Sequence, residues 1–247
     1  MNKDNRNKTF GVLLSVITLA VILYFGDVSV HDLLEGVLNK PTESTQELST
    51  PRVGFRNYYK VEGIYVEDKN IPINTIKYHD LDKLGRPVKV EAHITQKYVQ
   101  SLPSRGSERL VNPTGWPKSN PKVQLKDQWG TYRGYFWNRS HLLADSLGGN
   151  GEKENVVPGT RMQNVGMKNQ GGMAYAEIKA REFLKNNPNE SLLYVVVPLY
   201  EGGETIPRTV VVNMLSSDGS INERVLVDNS NPGWTINYST GEIREIK

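Results

Sequence analysis

The chain has 247 residues, 37% of them hydrophobic and 23% charged, and its 30 Lys and Arg exceed its 27 Asp and Glu by a net +3. This composition excludes a wholly disordered chain and leaves room for one good-sized domain with a short accessory part. There is no cysteine, which excludes disulfides and thiolate metal sites and leaves metals that take oxygen or imidazole. It also suits a secreted domain large enough to fold without staples.

Lys3, Arg6 and Lys8 against Asp4 give the first 26 residues +2 and leave +1 for the rest, so whole-chain charge says little about partners. Thr9 to Gly26 is uncharged and mostly Val, Leu, Ile and Phe. As a helix it would be about 27 Å long, close to the hydrocarbon thickness of a bilayer. The basic residues before it favour an N-terminus kept inside and a remainder passed out. Leu23-Tyr24-Phe25-Gly26 is bulky and offers no small-x-small cleavage site. Residues 1–26 are therefore read as an uncleaved transmembrane anchor in the cell membrane with the rest outside; a cleaved signal and secretion is the alternative. Val30 to Leu38 suits a short amphipathic helix, and Lys40 to Pro51 is polar and bounded by prolines. Residues 27–51 thus read as a stalk, with the folded domain expected over 52–247.

Within that domain, Val88, Val90, Ala92 and Ile94 alternate with Lys89, Glu91 and His93, which predicts a half-buried strand after the turn Leu84-Gly85-Arg86-Pro87. His93 falls on the polar side and is expected to be solvated. His31 and His79 have no motif around them.

Between Ser101 and His141 lie Arg105, Arg109, Lys118, Lys122, Lys126, Arg133 and Arg139, opposed only by Glu108 and Asp127. Trp116, Trp129, Tyr132, Tyr135, Phe136 and Trp137 are interleaved. Basic side chains neutralise phosphates and aromatic rings stack on exposed bases, so the stretch suits nucleic acid; a solvated loop with some core aromatics is the bland alternative.

Phe136-Trp137-Asn138 reads as a strand end, Gly148 to Gly151 as a turn, and Asn155-Val156-Val157-Pro158 as a second extended piece. Met162 to Lys168 has helical composition and ends at Gly171-Gly172. Strand, strand and helix in this order would bring His141, just past the first strand, and Asn164, on the helix, to one point. Farther on, Met173 to Lys185 reads as an amphipathic helix with Ile178, Phe183 and Leu184 inward, stopped by Asn186-Asn187-Pro188. Ser191 to Val197 fits a central strand. Thr209 to Val227 and Trp234 to Ile246 read as hairpins that build the sheet rather than the site. The expected fold is α+β: a central antiparallel sheet with flanking helices and an inserted finger.

The run Asn138-Arg139-Ser140-His141, with Asn155 and, nine residues later, Asn164, resembles the DNA/RNA non-specific endonuclease family, which has a ββα-metal (His-Me finger) site. Within it the chain is similar to the streptococcal DNA-entry nucleases and secreted DNases. The likeness covers roughly Tyr78 to the C-terminus. It implies His141 as general base, Asn164 as the direct ligand of one Mg²⁺ (Mn²⁺ being the alternative ion), Arg139 on phosphate, Asn155 as a brace for the finger, and Glu177 near the metal's water shell. Lys122, Lys126, Arg133, Arg161 and Arg181 are the expected substrate contacts. The implied partner is DNA, with RNA a second candidate; no protein partner is legible. The family's signature is Asp-Arg-Gly-His, so Asn138 and Ser140 depart from it, and the lost carboxylate bears on the basicity of His141. A non-catalytic surface module that binds nucleic acid or acts in adhesion is the competing expectation.

Overall fold

Where the apolar run Ser191–Leu199 goes decides the architecture. In the computed structural model, which describes residues 54–65, 71–103 and 110–246, the elements run β1 (Tyr59–Val61), β2 (Thr75–Tyr78), β3 (Val90–Thr95), α1 (Gln96–Ser101), β4 (Lys122–Asp127), β5 (Gly130–Tyr135), β6 (Trp137–His141), β7 (Val156–Thr160), α2 (Arg161–Val165), α3 (Met173–Asn186), β8 (Ser191–Leu199), β9 (Thr209–Ser216), β10 (Asn222–Asp228), β11 (Trp234–Ile236) and β12 (Ile243–Glu245). The expected anchor and stalk lie outside the described residues. Among the described residues no helix is long and apolar enough to cross a membrane.

Six strands form one sheet in the order β1-β10-β9-β8-β3-β2, every pairing antiparallel. The sheet bears out the expected central antiparallel arrangement, with few helices around it. β8 sits inside, between β9 and β3, because its side chains are apolar on both faces. On one face Val90, Ala92, Ile94, Leu192, Tyr194 and Val196 meet the α3 stripe Met173, Ala176, Ala180, Phe183 and Leu184, together with Leu142, Leu143 and Leu147. On the other face Leu193 and Val195 pack with Tyr65, Ile71 and Leu215. Helical spacing puts residues 173, 176, 180, 183 and 184 on one side. Ile178, expected inward, lies off that stripe and is half-buried.

The polar side of β3 also differs from expectation. His93 is not a solvated histidine: its Nδ1 bonds Ile71 O at 2.8 Å and its Nε2 bonds Ser191 Oγ at 2.9 Å. Glu91 is buried and pairs with Lys89 and His79. Burial pushes the Glu91 carboxyl up, but the bonds from Lys89 and His79 outweigh it and hold it below the usual range.

Three two-stranded ribbons stand outside the sheet: β4–β5, β6–β7 and β11–β12. The Trp234–Ile246 hairpin therefore does not build the sheet, as the sequence reading had it. Its strands are three residues each, and Ile236 packs on Phe136, Trp137 and Ile206 instead. The inner face of β4–β5 places Val123, Leu125 and Tyr132 against Tyr58, Met162 and Met167.

Candidate active site

β6 and β7 pair antiparallel from Trp137↔Thr160 to His141↔Val156. The aromatic run does not end in a single strand. β5 stops at Tyr135, and Phe136 and Trp137 are both buried in succession. Two consecutive inward side chains break the period of two, so the alternation restarts and β6 runs on through His141. His141 is thus the last residue of the strand and half-buried. Alternation puts Arg139 and His141 on one face and the fully buried Ser140 on the other.

The helix follows at once. Thr160 closes β7 and caps α2, its Oγ1 accepting from Gln163 N at 2.9 Å and donating to Ser230 O at 2.9 Å. α2 is shorter than the sequence suggests. Gly166 has φ +60, and a Cβ there would come within 2.5 Å of Gly171 Cα and 2.7 Å of Asn57 Oδ1. The chain leaves the helix there for a short 3₁₀ turn at Met167–Asn169. Asn57 clamps this exit, accepting from Met167 N at 2.8 Å and donating to Met167 O at 3.2 Å.

Asn164 is half-buried on α2, and its Oδ1 accepts from Ser140 Oγ at 3.1 Å. Asn138, Arg139 and Asn164 open together onto a hollow of about 590 Å³, walled also by Trp116, Tyr132 and Tyr135. Arg139 donates from Nε and Nη2 to Asn112 Oδ1 at 2.9 and 2.6 Å, and its guanidinium lies 4.4 Å over the Trp116 ring. Asn155 is buried and wholly engaged with backbone: Oδ1 accepts from Leu143 N at 2.8 Å, and Nδ2 donates to Leu143 O at 2.9 Å and Asn150 O at 2.7 Å. These bonds pin the loop that leaves His141. They occupy both amide protons, so Asn155 braces the loop.

Neither His141 nor Glu177 lines the 590 Å³ hollow. Glu177 sits on the side of α3 that packs inward, four residues after Met173. Burial pushes its carboxyl up to about 7, and the nearby Arg181 guanidinium takes back only part of the rise. The phenol of the buried Tyr194 is driven well above its ordinary value by burial and by the Glu177 charge.

The cations divide. Lys122, Lys126 and Arg133 share the exposed face of β4–β5 with Tyr135, because the register sets Lys122 opposite Tyr135 and Gln124 opposite Arg133. Arg161 stacks 5.0 Å over Tyr132, a wall of the hollow. Arg181 is exposed on α3 and does not line the hollow. Arg105 and Arg109 lie outside the described residues.

Two residues here escaped the sequence reading. Asn112 holds Arg139, and Asn120 fixes the start of β6 by accepting from Trp137 N at 2.9 Å and donating to Trp137 O at 2.8 Å. Each precedes a proline, Pro113 and Pro121, and that pair of Asn-Pro dipeptides was the available signal.

The fold and site define a mixed α/β protein in which a strand–strand–helix unit beside an antiparallel sheet carries the polar hollow. The chain belongs to the DNA/RNA non-specific endonuclease family, whose domain matches residues 66–218, and the resemblance read from Asn138 to Asn164 is borne out. A deoxyribonuclease of Streptococcus dysgalactiae subsp. equisimilis is 46% identical over 212 residues, covering 74% of this chain. The match spans 64% of that relative's length. The structure of Sda1 nuclease with bound zinc superposes with a TM-score of 0.68 at 32% identity, over 76% of this chain and 97% of that one. NucA from Streptococcus agalactiae with magnesium bound shares the fold, with a TM-score of 0.59 at 22% identity over 76% and 91%.

Proposed function

We propose that the chain is a metal-dependent endonuclease that hydrolyses phosphodiester bonds of DNA, with RNA as a second substrate, and with little regard for sequence. One observation carries this reading: Arg139 and Asn164 meet in one open hollow, beside the strand end that bears His141. Family membership supports it, as do relatives that bear the name deoxyribonuclease or hold zinc or magnesium. In this reading β6, β7 and α2 are the ββα-metal finger.

The donor set fits a hard divalent cation. Asn164 offers an amide oxygen with a lone pair beyond the one Ser140 uses. Among the described residues no three His, Cys, Asp or Glu side chains group as a metal cage. Mg²⁺ keeps several waters and takes few protein ligands, and Mn²⁺ accepts the same oxygen donors. Asn164 would hold the ion, with Glu177 near its water shell. When bound, the ion supplies charge stabilisation at the phosphate and the leaving oxygen.

The remaining steps belong to the chain. Neutral His141 takes the proton of the attacking water, a contribution of about 10²–10⁴-fold for a well-placed base. Arg139 uses two of its five N–H groups on Asn112 and directs the others at phosphate oxygens. Asn155 keeps the loop after His141 in place. Lys122, Lys126 and Arg133 hold the backbone of the substrate along the β4–β5 ribbon, and Arg161 and Arg181 extend the contact. None of these cations reads a base edge, hence the expected indifference to sequence. The uncharged run Thr9 to Gly26 supports a place on the outer face of the cell membrane, anchored by residues 1–26 and carried by the stalk.

Plasmid treated with the protein in Mg²⁺ is the test. Scattered nicks that EDTA abolishes are expected, and an oligoribonucleotide should be cut as well. Binding without cleavage in any divalent ion would leave the non-catalytic module as the reading. Cut ends dominated by one motif would overturn the lack of specificity. A protein lacking Met1 to Gly26 should stay soluble and active.

A further inference from the structure

A second groove adjoins the first. It encloses about 800 Å³ between the loop at Gly115–Pro121 and the turn joining β11 to β12, and its walls include Trp116, Pro117, Lys118, Glu242 and Arg244. Trp116 lines both hollows. The walls are built against each other. Gly241 lies so near Pro117 that a Cβ would come within 2.6 Å of the proline Cβ, and Gly115 lies so near Thr205 that a Cβ would come within 2.6 Å of its hydroxyl oxygen. The turn is held further by Thr205 and Ile206 N–H groups, which both donate to Tyr238 O, at 3.2 and 3.0 Å. The groove is therefore preformed, and its volume falls in the range of small-ligand pockets, roughly 300–1,000 Å³.

Its charges are unspent. Lys118, Glu242 and Arg244 are exposed, and among the described residues none has an ion-pair partner. Two cations against one carboxylate leave the groove positive. An indole presents two faces. The Arg139 guanidinium covers Trp116 in the first hollow, and Trp116 also lines the second.

We propose that this groove is a second nucleotide-binding subsite, which takes the stretch of substrate strand running on from the cleaved bond, with a base against Trp116 and phosphates at Lys118 and Arg244. The chemistry fits an unpaired strand: apolar and aromatic surface for base faces, and cations for the backbone. The proposal rests on the nuclease reading, since the track begins at the Arg139 and Asn164 hollow. Glu242 tempers the attraction and keeps the strand releasable.

The test is fluorescence anisotropy of labelled single-stranded oligonucleotides, of about 4 and about 12 nucleotides, with the full chain in EDTA so that nothing is cut. The Lys118→Ala/Arg244→Ala double variant should bind the longer strand about tenfold more weakly, lose much less on the shorter one, and show a salt slope shallower by about 1.4. Glu242→Gln should bind the longer strand about threefold more tightly, because a repelling charge is gone. An equal loss at both lengths, no loss at all, or weaker binding by Glu242→Gln would overturn the subsite. Failure of the nuclease reading looks different: the wild-type chain would bind the longer strand yet cut nothing in Mg²⁺.

Discussion

Ser140 donates its hydroxyl proton to Asn164 Oδ1 across 3.1 Å. The bond joins the strand that carries His141 to the helix that carries the proposed metal ligand, and Ser140 is fully buried. The direction in which the amide oxygen points is therefore set from the strand. If Asn164 holds the ion, Asn164→Ala should lower turnover at least about 100-fold while DNA binding in EDTA changes little, because the ion acts where charge develops. Ser140→Ala keeps the ligand but frees its rotamer, so Mg²⁺ affinity by calorimetry should fall by a smaller factor, about threefold to tenfold. Near-normal Mg²⁺-dependent turnover in Asn164→Ala would remove the ligand assignment.

Asn155 invites a different prediction, because its side chain makes three hydrogen bonds to backbone and none outward. Asn155→Ala would strand the buried N–H and C=O of Leu143 and release Asn150 O. It should lower unfolding free energy by about 2–4 kcal/mol in urea. Activity should fall as the loop after His141 loosens, and cooling should recover part of it. Unchanged stability with activity lost would argue that Asn155 acts on substrate.

What the sequence disclosed follows from which forces are local. β8 was legible because the apolar run Ser191 to Val197 suits the middle of a sheet, and the strand runs two residues further, to Leu199. The order strand, strand, helix around His141 and Asn164 was legible from turn residues and spacing. The restart at Phe136–Trp137 was not, since two adjacent buried aromatics follow from a pocket made by Ile206 and Ile236, some seventy and one hundred residues away. The early end of α2 was hidden for the same reason: Gly166 is required by contact with Asn57 and Gly171. His93 misled because alternation gives a face but not what covers it, here Ile71 and Ser191.

Glu177 links stability to pH. Its carboxyl is pushed up to about 7 from an ordinary 4.5. Between those values the folded chain holds a proton that the unfolded chain has lost, so stability falls as pH rises through the window, by on the order of 2–3 kcal/mol. Glu177→Gln should erase that loss. Metal-free urea titrations should find the variant equal to wild type at pH 4 and more stable at pH 8. Added Mg²⁺ should narrow the gap at pH 8, since a nearby cation favours the carboxylate. A gap that Mg²⁺ leaves unchanged would put Glu177 outside the metal's surroundings.

The base is tested by two histidines with opposite roles. His141 ends β6, one residue after the serine that bonds the proposed metal ligand, and as a base it works only when neutral. Activity should therefore fall as pH drops and the imidazole takes a proton. His141→Gly should fold, because the loop beyond it is held by Asn155, and should bind DNA through the intact basic ribbon, yet cleave it poorly. The substitution leaves a hole the size of an imidazole. Added imidazole should restore part of the turnover, more of it at pH values where the free base predominates. His93 is the control, with both ring nitrogens bonded inside the sheet region. His93→Gly should lose about 1–3 kcal/mol of stability but keep its turnover per folded molecule, and imidazole should not affect it. Retained activity in His141→Gly, or an inactive but fully folded His93→Gly, would show that the proton leaves the water by another group.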